Sequence, residues 1–183
     1  MRRKDIAFLS MLSALAFVSV MFIRLPIMPS APFLRFDLRD TIIIIGGLIY
    51  GPAAGFAVSL IAGLLQFLLI SEYGIIGFVM NLLSTVSFVC TASSVYSLNK
   101  TKAGLAAGLA IGCAVMTVSM LLWNYIITPL FMGVPREVVA SMLLTVFLPF
   151  NLLKGGINAV IILLYIRPLF NTLAALNLYD QER

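Results

Sequence analysis

The chain has 183 residues, 62% hydrophobic and only 10% charged, where a soluble domain carries ~25% charge. Its net charge is +5 and it contains no histidine, which excludes histidine-held metal sites and histidine-dependent triads. Apolar runs too long for barrel strands define an all-α integral membrane protein, a single transmembrane unit over residues 1–183 embedded in the lipid bilayer.

Met1-Arg2-Arg3-Lys4 resembles the basic start of a signal peptide, but no small-residue cleavage site follows, so a retained first helix is expected over Ile6–Ile23. Ser10 and Ala14 lie four apart on it, with Ser13 and Ala16 nearby. Such a small face suits either packing inside the protein or close approach of a partner helix. Arg24–Asp40 carries Pro26, Pro29 and Pro32 and is read as a long outer loop, either a lid over a pocket or a solvated connection. Its end, Phe33–Asp40, alternates apolar and charged residues, a period of two that points to extended chain.

Thr41–Ile70 is interrupted at Tyr50-Gly51-Pro52. Read as one helix it gives five spans in total; read as two, with the first starting near Leu38, it gives six. The positive-inside rule decides for six transmembrane helices, because Arg2, Arg3, Lys4, Lys100, Lys102 and Arg167 then all face the cytoplasm, as does Arg183. The outside would hold Arg24, Arg35, Arg39 and Arg136, balanced by Asp37, Asp40, Glu72 and Glu137. The third helix carries Gln66, which is expected to face the interior. After an outer turn at Ser71–Gly74, the fourth helix covers Ile75–Leu98 with Asn81. The fifth covers Ala103–Leu130, with Gly104, Gly108 and Gly112 forming a close-packing face and Trp123-Asn124-Tyr125 at its outer end. Glu137–Leu148 is too short to cross comfortably and is read as an interfacial or re-entrant helix ending at Pro149. The sixth span, Pro149–Ile166, is then stopped by Arg167-Pro168, and a short amphipathic tail follows. Cys90 and Cys113 sit in apolar runs and read as packing residues.

Lys154 is a cation well inside the last apolar run. A lysine near a helix centre costs about 2.5–3.5 kcal/mol on insertion scales, and such groups face a bundle interior or wet cavity and have partners. Asn151 and Asn158 share its helix face at spacings of three and four. The stripe either faces a ligand or joins helices through a snorkelling lysine and buried asparagines. Lysine supplies donors and asparagine both donors and acceptors, so together they read a mixed polar edge, with Phe36, Trp123 or Tyr125 as aromatic cover.

The stretch Leu148-Pro149-Phe150-Asn151-Leu152-Leu153-Lys154-Gly155 resembles the last-helix motif of substrate-binding S components of energy-coupling factor (ECF) vitamin transporters, most closely the riboflavin-binding type. Met11–Phe17, Phe36–Asp40 with Gly46–Gly55, and Met116–Val118 through Trp123–Tyr125 resemble further parts of that family, so the likeness runs from Ser10 to about Pro168. It implies six helices, both termini in the cytoplasm of a cell-membrane protein, and a vitamin pocket near the outer face. It also implies a complex with an EcfT-type transmembrane coupling protein and two ATPase subunits. Asn81, Asn124, Asn151 and Lys154 take the places of family site residues, and Ser10 and Ala14 those of the partner face. The chain departs from the riboflavin type in lacking an acid just before Asn81 and in reading Arg39-Asp40-Thr41 where a serine–aspartate–isoleucine–proline run is common.

The expected substrate-binding set is therefore Lys154, Asn151, Asn124, Asn81, Asn158, Asp40 and Phe36, with a flavin as ligand and pyridoxine, a thiamine precursor, folate or pantothenate as alternatives. No cofactor, metal or nucleic-acid partner is expected. The sequence has no Gly-x-x-x-x-Gly-Lys-Ser/Thr loop, so ATP must act through other chains. An intramembrane enzyme would need a catalytic set in the bilayer, and the acids Asp37, Asp40, Glu72 and Glu137 fall in loops or at helix ends. A carrier working alone on protons would need a buried carboxylate or histidine relay, and none is expected from the sequence.

Overall fold

The structure, a computed structural model, describes residues 3–29, 31–70 and 73–175. Arg2, Glu72, Arg183 and the tail after residue 175, all used above for topology, lie outside the described residues. Helix α1 (Arg3–Phe22) leads into a two-stranded antiparallel hairpin of β1 (Leu25–Pro26) and β2 (Arg35–Phe36), with Leu25 opposite Phe36. The helices α2 (Arg39–Tyr50), α3 (Pro52–Ile70), α4 (Gly74–Leu98) and α5 (Lys102–Met132) follow. A final helical body then combines α6 (Arg136–Met142), a π-helical segment (Leu143–Phe147) and α7 (Leu148–Ala175).

Five of these bodies are long and apolar enough to cross a membrane: α1, α3, α4, α5 and Arg136–Ile166. Helix α2, at 12 residues, rises only about 18 Å, short of a ~30 Å hydrocarbon core. Six helical bodies are present among the described residues, as expected, but five meet the length of a span.

The break at Gly51-Pro52 lies where the sequence placed it. Gly51 has φ 91°, a left-handed value that favours glycine, and Pro52 opens α3, where its missing N–H has no helical partner to lose. The α4–α5 turn is closed by Thr101, whose hydroxyl accepts the Gly104 N–H at 3.1 Å. Beyond it α5 lies tight against α4. A Cβ on Gly108 would sit 2.7 Å from the Ala92 carbonyl oxygen, and one on Gly112 2.8 Å from that of Phe88. Gly104, the third glycine of the expected face, meets the carbonyl of Asn99 in the turn instead.

Two expectations about the last body fail. No separate interfacial or re-entrant helix ends at Pro149; that residue is the second of α7, and the chain runs through it from the π segment. A proline ring crowds the preceding turn of an α-helix, and the wider π turn just before it gives the ring room. Nor does Arg167-Pro168 stop the helix: Pro168 lies inside α7, which continues to Ala175. A proline removes one backbone bond and does not oblige a stop.

The core is apolar and shared by α1–α5 and α7, with Leu12, Ala16, Ile43, Ile44, Val58, Phe88 and Met116 buried together. On α1 the small residues divide. Ser13, bonded to the Leu9 carbonyl at 2.9 Å, and Ala16 are buried, whereas Ser10 and Ala14 are exposed beside Met11, Leu15 and Val18. Cys90 and Cys113 are both free thiols, each partly buried.

Candidate functional site

A cavity of about 100 Å³ opens between the hairpin loop and the ends of α4, α5 and α7. Helical spacing explains which residues reach it. From α4 come Ile76, Met80 and Ser84, four apart, and Gly77 and Asn81 on the adjoining row. From α5 come Met120, Asn124, Ile127, Thr128 and Phe131, and from α7 come Phe150, Asn151 and Lys154. The loop contributes Phe33, Leu34 and Arg35, and Tyr73 stands at the entrance to α4.

The cavity is aromatic at the loop and polar at the far wall. Phe33 packs on Phe131 and Phe147 at centroid distances of 6.0 and 6.3 Å, Tyr73 meets Phe131 edge-on at 5.7 Å, and the Arg35 guanidinium lies 6.0 Å from the Tyr73 ring centre. On the far wall Lys154, Asn151 and Asn124 are each at most 3% exposed. Asn124 donates to the Met120 carbonyl at 2.7 Å and accepts from Thr128 at 2.8 Å; Asn151 donates to the Phe147 carbonyl at 2.7 Å. These bonds along each helix fix the amides and hold their polar ends at the cavity wall.

Behind Lys154 lies a buried ionic chain. Its Nζ is 3.1 Å from Asp40 Oδ2, and Asp40 Oδ1 accepts from Thr85 Oγ1 at 2.6 Å. Thr85 accepts in turn from Arg39 Nη2 at 2.7 Å, while Arg39 Nη1 donates to Gln66 Oε1 at 2.5 Å. Buried charges persist in an apolar bundle when paired and hydrogen-bonded, and this chain is paired across α2, α3, α4 and α7, with Arg39 Nε and Asp40 Oδ2 held by charge contacts and not by hydrogen bonds. Arg39 also borders a smaller cleft of about 20 Å³ with Arg24, Gln66 and Asn81.

Of the residues expected to bind a ligand, Lys154, Asn151, Asn124 and Asn81 line the cavity. Asp40, Asn158 and Phe36 are not among the lining residues. Asp40 is fully buried behind Lys154. Asn158 sits one turn further along α7, donating to the Lys154 carbonyl at 3.0 Å and accepting from Thr41 at 2.5 Å, so it joins α7 to α2. Phe36 is buried in the hairpin, and Trp123 and Tyr125 are not among the lining residues either. Arg39, counted above as an outer loop charge, is 1% exposed inside the first turn of α2, and Asp37 is buried where it accepts the Arg39 N–H at 3.1 Å. Asp37 and Asp40 are therefore buried and do not stand as solvated charges of an outer loop. Gln66 does face the interior, as expected. Sequence reasoning missed Phe33, Tyr73, Phe131 and Phe150 as the aromatic cover, and Thr85 as the link behind the lysine. For Thr85 the one available signal was its place four residues after Asn81, on the same helix face.

The comparisons with known proteins show the family. The family described as "ECF transporter, substrate-specific component" matches residues 4–166. The chain is 32% identical over 170 residues to the riboflavin transporter FmnP of Bacillus subtilis (strain 168), covering 88% of this chain and 89% of that protein. It is 33% identical over 178 residues to the riboflavin transporter RibU of Staphylococcus aureus (strain TCH60), covering 94% and 93%. A solved structure described as the S component of a bacterial ECF transporter superposes with a TM-score of 0.82 at 32% identity, over 94% of this chain and 99% of that one. With several apolar helices around one polar-walled cavity, the chain is a multi-pass membrane protein and belongs to the substrate-specific components of ECF transporters, which are transport subunits and not enzymes.

Proposed function

We propose that this chain captures riboflavin or a closely related flavin outside the cell and delivers it for ATP-driven uptake. The partners are an EcfT-type transmembrane coupling protein and two ATPase subunits. The observation that carries the reading is the cavity itself: aromatic and methionine walls ending on Lys154, Asn151, Asn124 and Asn81. A flavin has a flat ring, apolar at one edge and rich in carbonyl and nitrogen acceptors plus one N–H at the other. The walls cover its faces and apolar edge. Lysine donates to the acceptors, and the asparagine amides supply the mixed donors and acceptors that the N–H and carbonyls need. The names of relatives at 32–33% identity support the same ligand class.

In this reading both termini are cytoplasmic, the hairpin loop lies outside, and α2 with its loop completes a sixth crossing. Phe33, Leu34 and Arg35 line the cavity, which fits a loop that closes over the ligand. The exposed Ser10 and Ala14 on α1 form the face for the coupling protein, since small residues let helices approach closely. No resident cofactor takes part. Titration of the purified protein with riboflavin, followed by flavin fluorescence, is expected to give saturable quenching that pyridoxine, folate and pantothenate do not reverse. Absence of saturable quenching, or displacement by one of those vitamins, would contradict the proposal.

A further inference from the structure

Lys154 is the one member of the buried ionic chain that lines the large cavity. A lysine ammonium rides on a flexible four-carbon stem, so its position is set by what holds it. Here that is Asp40 Oδ2 at 3.1 Å. The carboxylate has no freedom to turn: its other oxygen accepts from Thr85 at 2.6 Å, Thr85 accepts from Arg39, and Arg39 is anchored on Gln66 of α3. All five side chains are at most 7% exposed. Arg39 Nε also lies 3.7 Å from Asp40 Oδ1, so two cations share one carboxylate. The trio of Arg39, Asp40 and Lys154 thus carries one net positive charge. The ammonium has three donors, of which Asp40 takes one and the rest are available to a ligand.

We infer that Arg39, Thr85 and Asp40 are positioning residues that aim the Lys154 ammonium at the acceptor-rich edge of the ligand and keep its charge from being cancelled. The inference rests on the flavin reading of the cavity. It predicts that these residues strengthen binding through Lys154 alone, so their effect disappears when the lysine is gone.

The test is a double-mutant cycle on the purified full chain, reading riboflavin affinity and the visible absorption band of the bound flavin. Asp40→Asn leaves two buried cations without a carboxylate and endangers folding. Thr85→Val keeps shape and charge and removes one link, and Thr85→Ser restores the hydroxyl. With Lys154 present, Thr85→Val, which removes the bond to Asp40 and the bond from Arg39, is expected to weaken binding about five-fold and shift the flavin band. Thr85→Ser should behave as wild type. In the Lys154→Met background, Thr85→Val should change affinity less than about 1.5-fold. Equal weakening in both backgrounds, or none in either, would overturn the positioning role. If Lys154→Met alone binds riboflavin as well as wild type, the flavin reading of the lysine falls, and this inference falls with it.

Discussion

Helix α2 passes from an ionic end to an apolar one within three turns. Arg39, Asp40 and Thr41 at its start are bonded to side chains of α3, α4 and α7. Ile43, Ile44, Gly47 and Leu48 further along are buried with no polar partner to seek. There, a Cβ on Gly47 would collide with Ser93 of α4, and one on Gly55 would come within 2.7 Å of Val89 Cγ1. At the first end space is left open and its walls are held by directed bonds; at the second, glycines remove side chains and the helices touch. The contrast says that stability and ligand recognition are separated along the same helices. Non-directional close packing at one end tolerates no added volume, and the polar end tolerates a bound molecule because its geometry is fixed by hydrogen bonds.

The largest effect should come from breaking the packed end. Gly108→Leu drives a side chain into the Ala92 backbone carbonyl, which cannot swing aside as a side chain would. We expect a loss of about 3 kcal/mol or more in stability, read as a large drop in the thermal midpoint of the detergent-solubilised protein, with unaltered affinity in whatever fraction folds. A midpoint equal to wild type would mean that the two helices are not in close contact. Next comes Asn151→Leu in the cavity wall, expected to weaken riboflavin binding about ten-fold, from one lost polar contact in a buried site, while the thermal midpoint moves little. Equal losses of affinity and stability would merge the two regions that the contrast separates. Phe33→Ala removes the loop ring that packs on Phe131 and Phe147. About three-fold weaker binding is expected, mainly through faster release; stopped-flow dissociation measures it, and an unchanged off-rate would detach the loop from the ligand. Ala14→Trp should have the smallest effect on the isolated protein, none on folding or binding, because Ala14 is exposed, yet it should abolish uptake in cells. Loss of binding by the isolated variant would place that face inside the protein.

Much of this was legible in the chain itself. Lys154 stands out because a cation in an apolar run needs a reason, and Asn151 follows from helical spacing. Gly51-Pro52 marks a turn by local chemistry alone, and the structure places one there. Arg39 and Asp40 misled because their alternation with Phe36 and Leu38 looks like exposed extended chain. Only Arg35–Phe36 is extended; the partners that draw Arg39 and Asp40 into a helix lie 27 to 46 residues away at Gln66 and Thr85, and no local pattern contains them. Phe36 misled for a related reason. Phe36 pairs with Leu25 in the hairpin and is buried there, and the aromatic side of the cavity is formed by Phe33, Tyr73 and Phe131. The π segment ahead of Pro149 was equally hidden, since proline in sequence reads as a stop.

The central claim is that the polar wall around Lys154 binds the flavin, and Lys154→Met tests it most directly. Methionine is cheaper than lysine in an apolar bundle, and Asp40 keeps Arg39 and Thr85 as partners, so the variant should fold. Equilibrium titration of purified wild type and variant with riboflavin should give a dissociation constant raised by about one to two orders of magnitude, since ~1.4 kcal/mol is tenfold and a charged hydrogen bond is worth about 1.5–3 kcal/mol. Two superimposable titration curves would contradict the account and leave Lys154 as a strut between α7 and α2.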